Sequence, residues 1–211
     1  MEEKIIVPDS IMPIIAWRFW RITECFEFNK KEIFKLMSAI SHCLWPEKEK
    51  LVSKCHCRDE ENKPYYHETC LTDSSCGIHA YKSLDNLFDD RKLIKNYGAL
   101  FGKVYLWGKI QCHEFGYRAQ FAYPQLILGA ICEECKSIIS LDSAVFIEGG
   151  GGQTLNGFLR YEIFCERCAC NARMKRKDMI FNKSIYGRKV SEVLKNRYNI
   201  EIKDFIIQKR G

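Results

Sequence analysis

At 211 residues, the chain can form one large domain or two small ones. Hydrophobic residues make up 46% and charged residues 28%, the composition of an ordinary soluble protein, which argues against disorder over most of its length. The net charge of +6 is uneven: from residue 171 onward twelve Lys/Arg and four Asp/Glu give +8, so the first 170 residues sum to −2. This asymmetry favours a polyanionic partner, usually nucleic acid, although a solvated tail has the same composition.

The first predicted elements are a strand and two helices. Residues 14–24, IIAWRFWRITE, are typical of a strand with an aromatic face. Residues 30–43, KKEIFKLMSAISHC, place apolar side chains at helical spacing and predict an amphipathic helix, which Trp45 and Pro46 end. Further on, SLDNLFDDRKLIKNYG predicts a second helix with Ser83 as its N-cap.

The middle of the chain predicts a pair of strands over residues 103–112 and 117–128. The alternation in GKVYLWGKI places aliphatic side chains on one face of the first strand and Tyr105 and Trp107 on the other. The last forty residues predict a helix, RKVSEVLKNRY, and a final strand, IEIKDFIIQ.

Twelve cysteines are the outlier of the composition. The N-terminal stretch MEEKIIVPDSIMPIIAW contains acidic residues and an apolar run that is too short for a signal peptide or a membrane span. We therefore expect a cytoplasmic protein without membrane association. In that compartment thiols stay reduced, and clustered cysteines bind metal rather than form disulfides.

Two Cys-x-x-Cys pairs form the most specific motif. They are separated by 29 residues and comprise Cys132, Cys135, Cys165 and Cys168. The intervening sequence predicts two strands joined by the glycine run 149–152, which is the layout of a zinc ribbon. We expect one structural Zn²⁺ here, since four thiolates leave no coordination position for a catalytic water. Cys170 is a possible substitute ligand, and a set of reduced core thiols is the alternative interpretation.

A second metal site is predicted in the irregular stretch CHCRDEENKPYYHETCLTDSSCGIHA. The prediction depends on the number of cysteine and histidine side chains in this short stretch, because their spacing matches no standard zinc finger. The preferred ligands are Cys55, His67, Cys70 and Cys76, with Cys57 and His79 in reserve and His56 as a further donor. The alternative is a nucleophilic Cys-His pair, which requires a lowered thiol pKa and a third, orienting group.

Several segments resemble the motifs of a family of uncharacterised bacterial proteins, many of them actinobacterial. The segments are WRFWR from Trp17, Trp45-Pro46 with Cys55, HETCLTDSSCGIHA, and GKVYLWGKI followed by His113-Glu114 and GYRAQFAYP. The family motifs are WRxWR, W-P…C, HExP…CxCGIYA and GxVxLWGxV…HExGYRAxxAYP, and the resemblance covers about residues 17–128. Ser74 replaces an expected cysteine, whereas Cys57 and Cys70 are additional. The resemblance implies a shared fold unit and no established activity.

We predict an α+β protein with three segments. Residues 1–128 are expected to form a small, antiparallel β-rich, zinc-stabilised module with two or three helices and the Cys/His cluster. Residues 129–172 are expected to form the zinc ribbon, and residues 173–211 a basic helix and strand.

Nucleic-acid binding is the leading function predicted from the sequence. Lysine and arginine would contact phosphates, and exposed aromatic rings would stack on unpaired or flipped bases of DNA or RNA. The expected contact residues are Tyr105, Trp107, Tyr117, Arg118, Arg173, Lys175, Arg176, Lys177, Arg188 and Lys189.

Two alternatives remain open at this point. One is an adaptor subunit, held together by structural zinc, whose basic tail contacts an acidic protein surface. The other is a metal-dependent hydrolase or nuclease that uses His113 and Glu114, with Arg118 four residues further on. The His-x-Glu motif of zinc deaminases and the His-Glu-x-x-His motif of metalloproteases are both absent from the sequence, so His113 and Glu114 are more simply a turn between strands.

Overall fold

A computed structural model of the chain describes residues 3–7, 12–25, 33–39, 43–53, 76–89, 99–148, 158–175 and 184–205. The strands within these residues are β1 Glu3–Val7, β2 Ile14–Cys25, β3 Ile33–Ser38, β4 Leu51–Val52, β5 Ile78–Tyr81, β6 Ala99–Cys112, β7 Gly116–Ile131, β8 Ile138–Ile139, β9 Val145–Glu148, β10 Phe158–Phe164, β11 Ser184–Tyr186 and β12 Glu201–Ile202. The helices are α1 Leu84–Asp89, α2 Glu166–Lys175 and α3 Gly187–Tyr198. This mixture, rich in antiparallel strands, confirms the predicted α+β class.

The chain forms two compact units that are not contiguous in sequence. Unit 1 contains Met1–Arg18, Lys48–Asp89 and Lys103–Gln125, and unit 2 contains Phe19–Glu47, Asp90–Gly102 and Leu126–Gly211. Strands β2, β6 and β7 therefore contribute residues to both units. The three predicted segments with boundaries at 128/129 and 172/173 stay a prediction.

Unit 1 is built on the β6–β7 hairpin. Strand β1 pairs antiparallel with β6, and β4 and β5 pair antiparallel with β7. The interior is small and aliphatic, with buried Ala16, Ile78, Ala80, Val104, Leu106 and Ala119. Helix α1 contacts β5, and the Ser83 hydroxyl accepts a hydrogen bond from the Asn86 N–H at 3.1 Å, which confirms the predicted cap. The remainder of that predicted helix, residues 90–98, lies outside the described residues.

The hairpin departs from regular alternation at Gly108. Up to Trp107, β6 alternates as predicted, because Val104 and Leu106 are buried whereas the aromatic side chains between them are half-exposed. Gly108 then adopts φ 78°, a left-handed conformation typical of the first residue of a β-bulge. A Cβ atom at Gly108 would lie 2.7 Å from the Phe121 ring. The left-handed backbone and the close approach of the Phe121 ring therefore both favour glycine at position 108.

In unit 2, the predicted helix over residues 30–43 is wrong for its described part. Residues 33–38 form strand β3, antiparallel to β2, with Glu24 opposite Phe34. Pairing with β2 satisfies part of the backbone polar groups, whereas the Leu36 N–H donates to the Tyr198 hydroxyl and the Leu36 carbonyl accepts from the Trp45 N–H. Phe34 packs edge-on against Tyr161 with ring centroids 5.8 Å apart. The apolar spacing suited a helix, but tertiary pairing overrides local propensity.

The predicted C-terminal helix is confirmed as α3, and it is anchored by its last residue. Tyr198 is buried, and its hydroxyl accepts a hydrogen bond from the Leu36 N–H at 3.0 Å and donates one to the Trp45 carbonyl at 3.0 Å. Asn199 ends the helix in the left-handed conformation, with φ 49°. The following strand, β12, pairs in parallel with β7, and the predicted continuation past residue 205 lies outside the described residues. Among the helices that the structure describes, none is long and apolar enough to cross a membrane.

Candidate functional site

The first cysteine pair lies in a tight turn directly after β7. The Cys132 N–H donates to the Ser137 carbonyl at 3.0 Å, and the Lys136 N–H donates to the Cys132 carbonyl at 3.0 Å. Lys136 closes the turn in the left-handed conformation, with φ 58°. This turn brings Cys132 and Cys135 to the same side, as expected for a Cys-x-x-Cys metal knuckle.

The second pair lies where β10 passes into α2. Cys165 precedes the helix and Cys168 is in its first turn, where the Ala169 N–H donates to the Cys165 carbonyl at 2.9 Å. The Glu133 N–H donates to the Ile163 carbonyl at 2.7 Å and so joins the two pairs. The predicted strands appear as β9 and β10, which pair antiparallel, and their connection through the glycine run lies outside the described residues. The helix at the second pair was not predicted.

The four sulfur atoms form one group. All of them lie within 4.8 Å of one another, and the Sγ atoms of Cys135 and Cys165 are 3.9 Å apart. A tetrahedral ion with metal–sulfur bonds of about 2.3 Å requires sulfur–sulfur distances of about 3.8 Å. The four cysteines are therefore close enough to hold a metal ion, as their spacing predicted. Cys170 is exposed on α2 and does not belong to this group.

One side of the cysteine group is buried and the other is accessible. Cys132 and Cys168 pack in a cluster with Val145, Ile147, Phe164, Ala169 and Ala172. Cys165 is half-buried and Cys135 is exposed. A bound ion would therefore join the hydrophobic core of unit 2 to its surface.

The pKa values of the thiols follow this arrangement. Hydrogen bonds from the Ser137 hydroxyl and backbone N–H stabilise the Cys135 thiolate and lower its pKa to about 6. The hydrogen bond with Cys165, followed by burial, raises the pKa of Cys168 to about 12. Burial raises the pKa of Cys132 as well. At neutral pH and without metal, Cys135 is therefore a thiolate, whereas Cys132 and Cys168 are protonated thiols.

Metal uptake at pH 7 is expected to release at least two protons, those of Cys132 and Cys168, because all four metal-bound cysteines are thiolates. The pKa values of these two thiols lie above neutral pH, so the apparent metal affinity should fall by about 100-fold or more for each unit by which the pH decreases. Titration calorimetry in buffers of different ionisation enthalpy measures the protons released. Proton-neutral uptake would contradict this prediction.

The second predicted metal site falls largely outside the described residues. This applies to Cys55, His56, Cys57, His67 and Cys70. Cys76 is buried at the start of β5 and His79 is exposed within that strand. Neither belongs to a metal-ligand group among the residues that the structure describes, and the second site stays a prediction.

His113 and Glu114 lie at the bend between β6 and β7, as predicted. The His113 N–H donates to the Gly116 carbonyl at 2.9 Å, and the Arg118 Nε donates to His113 Nε2 at 2.9 Å. The Arg118 guanidinium also donates to the Gln111 side chain. Arg118 is only 8% exposed and bonds to two residues at the hairpin end, and its predicted contact with nucleic acid stays a prediction. Glu114 is exposed, and this geometry favours a structural turn over a catalytic pair.

A half-exposed surface of unit 1 combines aromatic rings with lysines. We call it the aromatic–lysine face, and it consists of Trp17, Lys50, Lys103, Tyr105, Trp107 and Phe121. The Lys103 Nζ lies 5.4 Å from the Trp17 ring centroid, and the Lys50 Nζ lies 4.0 Å from that of Phe121. The Trp107 and Phe121 rings are 6.0 Å apart and inclined by 42°. The sequence pattern predicts Tyr105 and Trp107 as part of such a surface, whereas Phe121 and the lysines join it only through these tertiary contacts.

The remaining predicted contact residues are dispersed. Tyr117 is half-exposed at the start of β7, with the Lys82 Nζ 5.7 Å from its ring centroid. In unit 2, Arg173 donates to the Ser184 hydroxyl at 2.8 Å, which joins α2 to β11. Arg188 and Lys189 are exposed on α3. The side chain of Lys175 and the whole of Arg176 and Lys177 lie outside the described residues.

Comparison with known proteins identifies no relative of this chain. A scan against protein-family models, a search of curated proteins and a search of solved structures each found no match. The function must therefore be inferred from the chain's own residues.

Proposed function

We propose that this protein binds nucleic acid through the aromatic–lysine face of unit 1 and carries a structural Zn²⁺ at the four cysteines of unit 2. The observation that supports nucleic-acid binding is the placement of lysine ammonium groups over half-exposed aromatic rings. Lysine provides a cation for phosphate, and the ring beside it provides a flat apolar surface for a base.

The cysteine group supports zinc by its chemistry. Four thiolates with near-tetrahedral spacing suit Zn²⁺, because soft sulfur ligands bind it strongly and it imposes no other geometry. A closed set of four protein ligands leaves no position for substrate or water. We therefore propose that the ion stabilises the fold and takes part in no reaction.

The lysines of the face can leave their aromatic rings and contact a phosphate at a small cost in free energy. A cation–π contact at an exposed site contributes about 0.5–1 kcal/mol, so an arriving phosphate can draw Lys50 or Lys103 away from its ring. The ring then becomes available to a base. The exposed basic residues Arg188, Lys189 and Lys195 of α3 add positive charge in unit 2.

The same segments carry the resemblance to the bacterial family. Trp17 belongs to WRFWR, and Tyr105, Trp107 and Phe121 belong to the GKVYLWGKI…GYRAQFAYP pair. On this basis we propose that the chain is a member of that family, whose motifs specify Trp17 and Trp107 of the face and leave Lys103, Tyr105 and Phe121 unspecified.

Binding to oligonucleotides is expected to weaken steeply between 50 and 200 mM salt, because phosphate contacts release counterions. Replacing both Lys50 and Lys103 with glutamine should lower the slope of log affinity against log salt by about 1.4, at about 0.7 for each contact with a single strand. Fluorescence anisotropy with the zinc-loaded full chain measures both quantities.

The matched control is Lys203→Gln, because Lys203 is exposed in unit 2 and its ammonium contacts Glu201 at 2.6 Å. This variant should retain the parent slope. An affinity that is independent of salt, or no binding to any oligonucleotide, would exclude the proposed function. Zinc content is measured in the same samples, and a metal-free protein with unchanged stability would exclude the structural role of the ion.

A further inference from the structure

The geometry of the aromatic–lysine face points to single-stranded nucleic acid as its ligand, and we propose that unpaired bases stack on Trp107 and Tyr105 while Lys50 and Lys103 contact the phosphates. This inference rests on the proposed function and specifies its substrate class. It predicts that single strands bind more tightly than a duplex, which nucleic-acid binding alone does not require.

The β6–β7 hairpin is flanked on both sides at its bend end, next to the face. In unit 1, β1 pairs with residues 108–112 of β6 and β5 pairs with residues 116–119 of β7, while β4 pairs with Phe121 and Ala122 at the face itself. Four strands spaced by about 4.8 Å span about 14 Å between the outer two, before side chains are added. The major groove of a DNA duplex is about 12 Å wide and admits two strands or one helix. The hairpin is therefore flanked too broadly to enter a groove.

The exposed groups of the face suit the flat surfaces of bases better than their edges. The face presents rings, a tyrosine hydroxyl and ammonium groups, and its six residues include neither a carboxylate nor a carboxamide. Reading of base edges in a duplex uses arginine, asparagine or glutamine in bidentate contacts. Rings instead contact the flat surfaces of bases, which a duplex buries in its stack and a single strand exposes. We therefore expect stacking with little base preference.

Side chains of β6 form a row along one side of the face. Lys103, Tyr105 and Trp107 occupy alternate positions of a regular strand, so their side chains leave the same face. They span about 13 Å at 3.3 Å per residue. Trp17 lies beside one end of this row through Lys103, and Phe121 lies beside the other end through Trp107. Lys103 at one end of the row and Lys50 over Phe121 at the other place a cation near each end with rings between them, which suits a short extended strand whose phosphates and bases both contact the face, and we expect it to accommodate about three nucleotides.

The test compares three fluorescein-labelled probes of one mixed sequence: a 12-nucleotide DNA strand, the equivalent RNA strand and the blunt DNA duplex. The zinc-loaded full chain is expected to bind at least one of the single strands about tenfold or more tightly than the duplex at equal salt. Trp107→Leu should weaken binding of that strand by about tenfold or more, in line with the loss of one stacked base. Tryptophan fluorescence should be quenched by the strand in the parent protein and much less in the variant.

Two further variants provide a second test of the row and a matched control. Tyr105→Leu tests the same row if Trp107→Leu does not fold, and thermal unfolding shows which variants are folded. Phe115→Leu is the matched control, because Phe115 is an aromatic residue of the same unit that is 59% exposed at the hairpin bend, outside the face. It should bind like the parent.

The outcomes separate this inference from the function on which it rests. Equal or tighter binding of the duplex, unaffected by Trp107→Leu and Tyr105→Leu, would overturn the inference and leave nucleic-acid binding intact. Competition by poly-L-glutamate as strong as that by the unlabelled strand would show a response to charge alone, and would also overturn it. Failure to bind any of the three probes would overturn the proposed function itself.

Discussion

Cys168→Ser is expected to abolish metal binding and to destabilise unit 2, whereas Cys170→Ser should leave both properties unchanged. Cys168 is 5% exposed and packs within the cluster that contains Val145, Ile147 and Phe164. Its loss removes one of four ligands and places a hydroxyl among apolar groups. Structural zinc contributes folding free energy directly, so we expect a loss on the order of 5 kcal/mol, comparable with the whole stability of a small domain.

The pair of variants is closely matched. Cys170 lies two residues further along the same helix, with its thiol exposed and outside the ligand group. Elemental analysis gives the metal content, and urea unfolding followed by circular dichroism gives the stability. Full metal content and an unchanged unfolding midpoint in Cys168→Ser would show that the four cysteines are core thiols rather than ligands. Loss of metal in Cys170→Ser would instead identify Cys170 as the substitute ligand.

Tyr198→Phe is expected to lower the free energy of unfolding by about 2–3 kcal/mol. The Tyr198 hydroxyl bridges the Leu36 N–H and the Trp45 carbonyl, and the residue is 0% exposed. Removal of the oxygen leaves a backbone donor and a backbone acceptor without this partner inside the core. Each buried group left unsatisfied costs about 1–3 kcal/mol, and relaxation of the surroundings reduces the sum.

The control for this substitution is Tyr186→Phe, because Tyr186 is 63% exposed and precedes the same helix. Its unfolding midpoint in urea should match that of the parent. The slope of the unfolding transition should be the same in all three proteins, so that midpoints report stability alone. Equal midpoints for Tyr198→Phe and Tyr186→Phe would show that the bridge contributes nothing net.

The same contacts explain which elements were predictable. Helix α3 has a strong amphipathic pattern, with Val190, Leu194 and Tyr198 buried on one side, so its own sequence carries the signal. Strand β3 lacks such a signal, since its apolar residues fit a helix equally well. Its structure depends on the edge of β2 and on Tyr161, which lies more than a hundred residues away in sequence. Local propensity cannot represent a partner of that kind.

The two candidate sites differ in the same way. The cysteine group was predictable residue by residue, because a Cys-x-x-Cys turn fixes two ligands by short-range geometry alone. The aromatic–lysine face was predictable only in part. Alternation in β6 indicated that Tyr105 and Trp107 share a face, but the approach of Lys50 to Phe121 and of Lys103 to Trp17 joins separate segments of unit 1.

By itself, the sequence determined the two Cys-x-x-Cys pairs, the cap at Ser83, helix α3 and the alternation of β6, because each depends on residues within a few positions of one another. The tertiary structure alone decided that residues 33–38 are a strand, that Arg118 is buried, and that lysines lie over the rings of the face. These features are set by side chains and backbone groups from distant segments, whose pairing lowers the free energy only after the chain has folded. Neither periodicity nor composition contains that information.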